Sequence, residues 1–264
     1  MAQHIHAALT IAGSDPSGGA GIQADLKTFH QRGVYGMSVL TLLTVQNTQG
    51  VAAVEILRPE FVVAQLDSVL ADITPGAAKT GALGDAEIIR AVAERAARFS
   101  FPLVVDPVMV SKHGIALMSD SARTALLENL VPRAYLVTPN LHEAGVLAGI
   151  TVADVESMEE AARRITSAGA RAALIKGGHL AGEAIDVFYC RGRTLRFSSP
   201  RVDTPHTHGT GCTYSAAITA ELAKGRTLED AVAIAKRFIT AAIATNPGLG
   251  KGCGPVNHHA AIDG

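Results

Sequence analysis

Apolar residues in this chain follow two alternating rhythms. Ala7–Ile11, Met37–Val45, Ala77–Thr80, Leu103–Val105, Tyr135–Val137 and Ala172–Ile175 are short, nearly unbroken apolar runs. They predict strands buried on both faces. Between them, apolar positions recur every three or four residues. Ile22, Leu26 and Phe29 share one helical face up to Gly33, and Phe61–Leu70 reads as a helix opened by Pro59. Asp85 caps an Ala-rich helix expected to reach Phe99, and Ser121–Leu130 and Asn140–Leu147 have the same periodicity. Ser157 with Glu160 reads as a capping box for a helix to Ala168.

Three further segments complete the pattern. Val51–Leu57 alternates like an edge strand or hairpin arm, and Ala184–Cys190 with Thr194–Phe197 forms a second hairpin around Arg191-Gly192-Arg193. Helices over Cys212–Lys224 and Leu228–Ala244 close the chain, the second capped by Thr227 and Asp230. Strand–helix alternation repeated this often implies a mainly parallel sheet with helices on both faces. No Pro-, Ser- or charge-rich linker interrupts it, so residues 1–264 are expected to form one α/β domain.

Composition narrows the function classes. With 48% apolar residues, 4% aromatics and no Trp, the core must be aliphatic. A net charge of −1 without blocks of one sign argues against nucleic acid or a membrane surface as partner. No apolar run has membrane-spanning length, and Met1-Ala2-Gln3-His4 does not read as a signal sequence. Cys190, Cys212 and Cys253 are odd in number and widely spaced, which fits a reducing, cytoplasmic compartment better than a disulfide framework. His4-x-His6, His206-x-His208 and His258-His259 lack a Cys or carboxylate at ligand spacing, so no metal role is expected of them.

Ligands of such sheets sit beyond the C-terminal strand ends. Gly13-Ser14-Asp15, Gln46-Asn47, Lys79-Thr80-Gly81, Asp106-Pro107, Thr138-Pro139-Asn140 and Lys176-Gly177-Gly178 fall there. Both signs of charge along one edge suit a phosphorylated ligand with a metal ion. Gly19-Ala20-Gly21-Ile22-Gln23-Ala24 matches G-x-G-x-x-A, but no acid lies between Asp25 and Glu55 to hold a ribose, so a dinucleotide fold is disfavoured. Gly248-Leu249-Gly250-Lys251-Gly252 lacks the Ser or Thr of a P-loop. Thr207-His208-Gly209-Thr210-Gly211-Cys212 remains. There a glycine-rich loop enters a helix whose N-terminal amides and dipole favour an anion, and where a thiol pKa is expected to fall.

Long stretches resemble one family. Ala8–Lys27, Val45-Gln46-Asn47-Thr48, Val105-Asp106-Pro107-Val108-Met109, Thr138-Pro139-Asn140-x-x-Glu143-Ala144, Lys176-Gly177-Gly178-His179, Thr207–Cys212 and Gly252-x-Gly254-Pro255-Val256 occur in its order along nearly the whole chain. On these residues the chain resembles the ribokinase superfamily, and within it the hydroxymethylpyrimidine/phosphomethylpyrimidine kinases. The resemblance implies a ribokinase-like three-layer α/β/α fold, Mg2+ and ATP, a homodimer, and two successive phosphorylations of 4-amino-5-hydroxymethyl-2-methylpyrimidine in thiamine biosynthesis.

It also implies roles. The backbone of Gly209, Thr210 and Gly211 would hold the transferring phosphoryl group, with Cys212 as the proton acceptor and Lys176 on a phosphate. Asn140, Glu143 and Asp106 would stand on the magnesium side, although Asn140 with Glu143 equally reads as a capping box. Gln46 offers a donor and an acceptor to the ring. Asp25, which also suits the dipole of the first helix, and Gly13, Ala20 and Val108 would complete the substrate pocket. The family often has Met after the Lys-x-Gly that is Lys79-Thr80-Gly81 here. The present Ala82 leaves more room over the ring, so pyridoxal/pyridoxine kinase activity is the alternative. A catalytically silent pyrimidine sensor is disfavoured, because the anion loop and the proton acceptor are both present.

Overall fold

The short apolar runs come together in one sheet. In the computed structural model, which describes residues 5–110, 114–178 and 182–262, the strands are β1 (Ala7–Ser14), β2 (Tyr35–Asn47), β3 (Gly50–Ile56), β4 (Ala77–Thr80), β5 (Leu103–Val105), β6 (Leu136–Val137), β7 (Ala172–Ile175), β8 (Ala184–Cys190) and β9 (Arg193–Ser199). Their spatial order is β3-β2-β1-β4-β5-β6-β7-β8-β9. The six from β2 to β7 are mutually parallel; β3 and the β8–β9 hairpin run antiparallel at the two edges. His4 and His179 lie outside the described residues.

The helices are α1 (Gly21–Gln31), α2 (Pro59–Asp72), α3 (Ala86–Ala96), α4 (Asp120–Ala125), α5 (Leu141–Ala148), α6 (Val155–Ser167), α7 (Thr210–Ala223) and α8 (Leu228–Ala244). Strand side chains alternate between faces, so each strand feeds two cores. Leu9, Ile11, Ala78, Val105, Val137 and Ile175 pack under α2 to α6. Ala8, Ala77, Val104, Leu136, Ala172 and Leu174 pack under α1, α7 and α8. This is a ribokinase-like three-layer α/β/α arrangement. Among the described residues no helix is long and apolar enough to cross a membrane.

Several boundaries differ from the sequence reading. The capping box of α6 is Asp154 with Ser157, one turn earlier than Ser157 with Glu160. Asp154 caps the first free amides, and Glu160, one turn in, pairs instead with Arg163 and Arg164. Asp85 caps α3 as expected, but the helix ends at Ala96, and Phe99 leaves it to stack on Phe101 at 4.6 Å. The Ser121–Leu130 helix starts at Asp120 under a Ser119 cap and widens to a π turn over Leu126–Leu130.

Candidate active site

A polar row marks where the sheet stops being core. Thr10, Lys79, Asp106, Thr138 and Lys176 each stand two residues beyond the apolar residue their strand gives the α1/α7/α8 face, namely Ala8, Ala77, Val104, Leu136 and Leu174. Period two puts all five on that face of adjacent strands, Lys79, Asp106, Thr138 and Lys176 at or just past the C-terminal ends and Thr10 in the middle of the longer β1. The N-terminus of α7 sits over them.

The row is internally paired. Asp25, from α1, takes the Thr10 hydroxyl at 2.6 Å and the Lys79 ammonium at 2.7 Å, and neither charged side chain has accessible surface. Burial raises the Asp25 pKa, with Lys79 opposing; burial works against the Lys79 charge, but Asp25, Cys212 and Asp106 hold it cationic. Asp106 takes the Lys176 ammonium at 2.9 Å, the Thr138 hydroxyl at 3.2 Å and the Ser215 hydroxyl at 3.2 Å. Burial would raise its pKa, yet Lys176 and Lys79 together pull it below the ordinary carboxylate value.

Helix α7 begins at a left-handed glycine. Gly209 is its N-cap at φ 78°, and a Cβ there would drive into the Gly19 carbonyl. Only glycine meets both demands. A Cβ on Gly211 would lie 3.2 Å from the Lys176 Nζ, so the first turn presents bare backbone to the lysine. Amides without intrahelical partners, a helix dipole and a lysine are the elements of an oxyanion cradle.

Cys212 follows in the same turn, and the Gly21 amide at the start of α1 donates to its sulfur. The expectation of a lowered thiol pKa is overturned. Burial, joined by Asp25 and Asp106, pushes it up to about 11, against the pull of Lys79 and the Gly21 N–H. A helix N-terminus lowers a thiol pKa only where desolvation and neighbouring carboxylates do not outweigh it.

The loop between β1 and α1 is organised by Asp15. Its carboxylate accepts from the Ser17 amide and hydroxyl and from the amides of Gly19 and Ala20. His208 Nε2 lies 2.8 Å from the same oxygen, Oδ2, that accepts from Gly19 and Ala20. Burial opposes the charge, but these bonds, His208 first, lower the Asp15 pKa. Gln46 reaches the same ring at 3.2 Å. The C-terminal tail closes this corner: the His208 amide donates to the Gly254 carbonyl, the Val256 amide to the His208 carbonyl, and the Gly252 amide to Thr48. His206 Nδ1 accepts from the Gly254 amide.

Glu143 forms the capping box of α5 with Asn140: each backbone amide donates to the other's side chain, at 2.8 and 2.9 Å. Glu143 is only 5% exposed, and burial pushes its pKa up to about 7; Lys176 opposes and Asp106 adds to the rise. Among the described residues no group of three or more His, Cys, Asp or Glu side chains is placed to hold a metal. Two carboxylates with hard oxygens beside one lysine fit half a magnesium site, the half that phosphates and water complete.

The structure thus brings Cys212, Gly209, Thr210, Gly211, Lys176, Asp106, Asn140 and Glu143 to one end of the sheet. Gln46, Gly13 and Ala20 lie on its β1–β2 side. Val108, half-buried, follows β5, its amide bonded to the Asp106 carbonyl. Asp25, expected in the substrate pocket, has both oxygens taken by Thr10 and Lys79 and no open surface, so it supports the site from beneath. A Cβ on Gly13 would strike the Leu42 side chain, so strand packing by itself explains that glycine. Asp15, Lys79 and His208 were not singled out as site residues. The signal for Lys79 was a charge on an otherwise apolar strand, and for Asp15 the Asp-Pro-Ser-Gly-Gly turn composition. Two open grooves elsewhere, about 770 Å³ beside Leu141 and Val146 and about 640 Å³ beside Asp67 and Phe99, carry none of this chemistry.

Comparison with known proteins identifies the family. Residues 15–257 match the family described as phosphomethylpyrimidine kinase. A hydroxymethylpyrimidine/phosphomethylpyrimidine kinase of Haemophilus influenzae is 48% identical over 97% of this chain and 98% of its own length. A thiamine biosynthesis bifunctional protein of Geobacter sulfurreducens is 52% identical over 95% of this chain, which spans 51% of that longer protein. Among solved structures, a pyridoxal kinase from Staphylococcus aureus in complex with AMP-PCP and pyridoxal superposes with a TM-score of 0.90 at 37% identity, covering 98% of this chain and 95% of that one. The chain belongs to the phosphomethylpyrimidine kinase family.

Proposed function

We propose that this protein transfers the γ-phosphoryl group of ATP to the hydroxymethyl group of 4-amino-5-hydroxymethyl-2-methylpyrimidine, and then a second phosphoryl group to the monophosphate, in thiamine biosynthesis. The observation that carries the reading is the bare first turn of α7, with Gly211 facing Lys176 and Asp106 and with Cys212 next in sequence. Phosphoryl transfer needs alignment and charge neutralisation more than a strong base. The amides of Gly209 and Gly211 with Lys176 supply neutralisation, while the Thr210 amide and hydroxyl both turn back to the Thr207 carbonyl. Gln46 holds the ring, with Ala20 and Val108 beside it.

Cys212 stands at the acceptor hydroxyl. Its thiol is protonated in the ligand-free protein, so its own proton must first leave to solvent, a loss that Lys79 and the Gly21 N–H favour. The thiolate so formed accepts the hydroxyl proton late, as the phosphoryl group arrives and the alcohol becomes acidic. Mg2+ would be held by Asp106 and Glu143 together with nucleotide phosphates and water, and Asn140 would orient Glu143; when bound, the ion neutralises phosphate charge. A homodimer, supported by the exposed apolar residues Leu43, Val45, Val54, Ile56 and Phe61 around β2, β3 and α2, completes the reading. Three free cysteines fit a reducing cytoplasm.

Pyridoxal is the second reading, favoured by the structural likeness to a kinase solved with pyridoxal. An ADP-release assay with Mg2+ and ATP tests both. The pyrimidine and its monophosphate are expected to give the higher kcat/KM; a higher value for pyridoxal would reverse the assignment, and no turnover of any of them would end it. Light scattering on the eluted protein tests the dimer.

A further inference from the structure

Asp15 is a pure acceptor. Oδ1 takes the Ser17 amide at 2.9 Å and the Ser17 hydroxyl at 2.7 Å. Oδ2 takes the amides of Gly19 at 3.1 Å and Ala20 at 2.9 Å, and meets His208 Nε2 at 2.8 Å. A carboxylate surrounded by so many donors is ionised and donates nothing. The hydrogen of the contact with His208 therefore sits on Nε2.

As placed, the Gln46 amide points Nε2 at that same His208 Nε2, 3.2 Å away, and Oε1 at the Thr44 hydroxyl, 3.4 Å away; the two ends of an amide are alike in shape, and hydrogen bonding decides which is which. An NH2 group there would turn one donor on another, so the end that meets His208 is the carbonyl oxygen, bridged with Asp15 to one N–H. Thr44 leads independently to the same answer. Its hydroxyl has one hydrogen, which goes to the Ser14 carbonyl at 3.0 Å. With that hydrogen spent, the Thr44 hydroxyl cannot also donate to Gln46 Oε1, 3.4 Å away; turning the amide over sets an NH2 against the hydroxyl lone pairs.

We infer that Asp15, His208 and Thr44 fix the polarity of the Gln46 amide, with Oε1 on the His208 side and Nε2 on the Thr44 side, and so select the ring edge the pocket accepts. The ligand must show a donor toward His208 and a lone pair toward Thr44. A 4-aminopyrimidine edge does this, with its exocyclic NH2 beside an unprotonated ring nitrogen. A 4-oxopyrimidine edge, a carbonyl beside a ring N–H, shows the reverse. The ring cannot turn over to correct the mismatch without carrying its hydroxymethyl group away from Cys212. The ring-edge selection rests on the pyrimidine-kinase reading; the polarity of the amide belongs to the ligand-free protein.

Nuclear magnetic resonance of the labelled, ligand-free protein tests the polarity directly. The expected result is a nuclear Overhauser contact between the Gln46 NH2 and the Thr44 methyl group, with a protonated-type 15N shift for His208 Nε2. A contact from that NH2 to the His208 ring, with an unprotonated Nε2, would overturn the inference. Competition binding then tests selection. The 4-oxo analogue is expected to bind at least about tenfold more weakly than the 4-amino ring, and Thr44→Val to narrow that gap severalfold. An unchanged gap in Thr44→Val would overturn the role in selection. The resonance contacts stand or fall without any substrate, whereas the ADP-release assay decides the kinase reading alone, so the two failures are distinguishable.

Discussion

Lys79→Met isolates the energetics of the charge beneath the site. Methionine approximates the aliphatic stem, so packing is largely kept, and the change removes the ammonium 2.7 Å from Asp25. Asp25, with no accessible surface, then retains one partner, the Thr10 hydroxyl at 2.6 Å. An unpaired buried carboxylate takes up a proton, and protonating a group of ordinary pKa 3.8 at pH 7 costs about 4 kcal/mol, at about 1.4 kcal/mol per pH unit. This matches the range of roughly 3–5 kcal/mol for breaking a buried pair from one side.

The sign follows from linkage. In the variant the folded-state pKa of Asp25 is raised above its unfolded value. The proton's stabilising contribution is complete below pH 3.8 and fades as pH rises toward the folded pKa. Urea unfolding should therefore show a penalty of up to about 4 kcal/mol at pH 7 that falls to less than half at pH 5. Lys79→Met combined with Asp25→Leu should recover most of it. A penalty independent of pH, or a double variant no more stable than the single one, would refute the reasoning.

Three further outcomes are expected. Cys212→Ala should lower kcat by about 10²–10⁴-fold with pyrimidine affinity within about twofold by calorimetry, since the cradle is backbone; near-normal turnover would remove Cys212 as proton acceptor. His258 is 5% exposed, and burial, with Lys27 adding, lowers its pKa to about 4. Because its folded pKa lies below the unfolded value of 6.5, it stabilises the fold above pH 6.5 and that contribution is lost as pH falls. Wild type should lose about 3 kcal/mol between pH 6.5 and 4 that His258→Gln does not lose, read by urea unfolding. Gly209→Ala should destabilise by about 2 kcal/mol or more and reduce turnover at least about a hundredfold, because its Cβ pushes α7 off the Gly19 carbonyl; wild-type kinetics in that variant would contradict the close approach.

The sequence by itself determined the alternation of strands and helices, the cap at Asp85, the Asn140–Glu143 box and the glycine entry to α7. Each is written in residues within about one turn of each other, and local periodicity and capping chemistry are read at that range. It also placed Lys79, Asp106 and Lys176 at strand ends, because a charge closing an apolar run marks where the core stops. What only the tertiary structure decided depends on groups far apart in the chain. Asp25 meets Lys79 across 54 residues, and His208 meets Asp15 across 193. The pKa of Cys212 shows why such pairings matter. A helix N-terminus, legible locally, argues for a low value, but burial and two carboxylates from other elements set it near 11. Desolvation and Coulomb energy depend on everything packed around a group, and that environment exists only once the layers close.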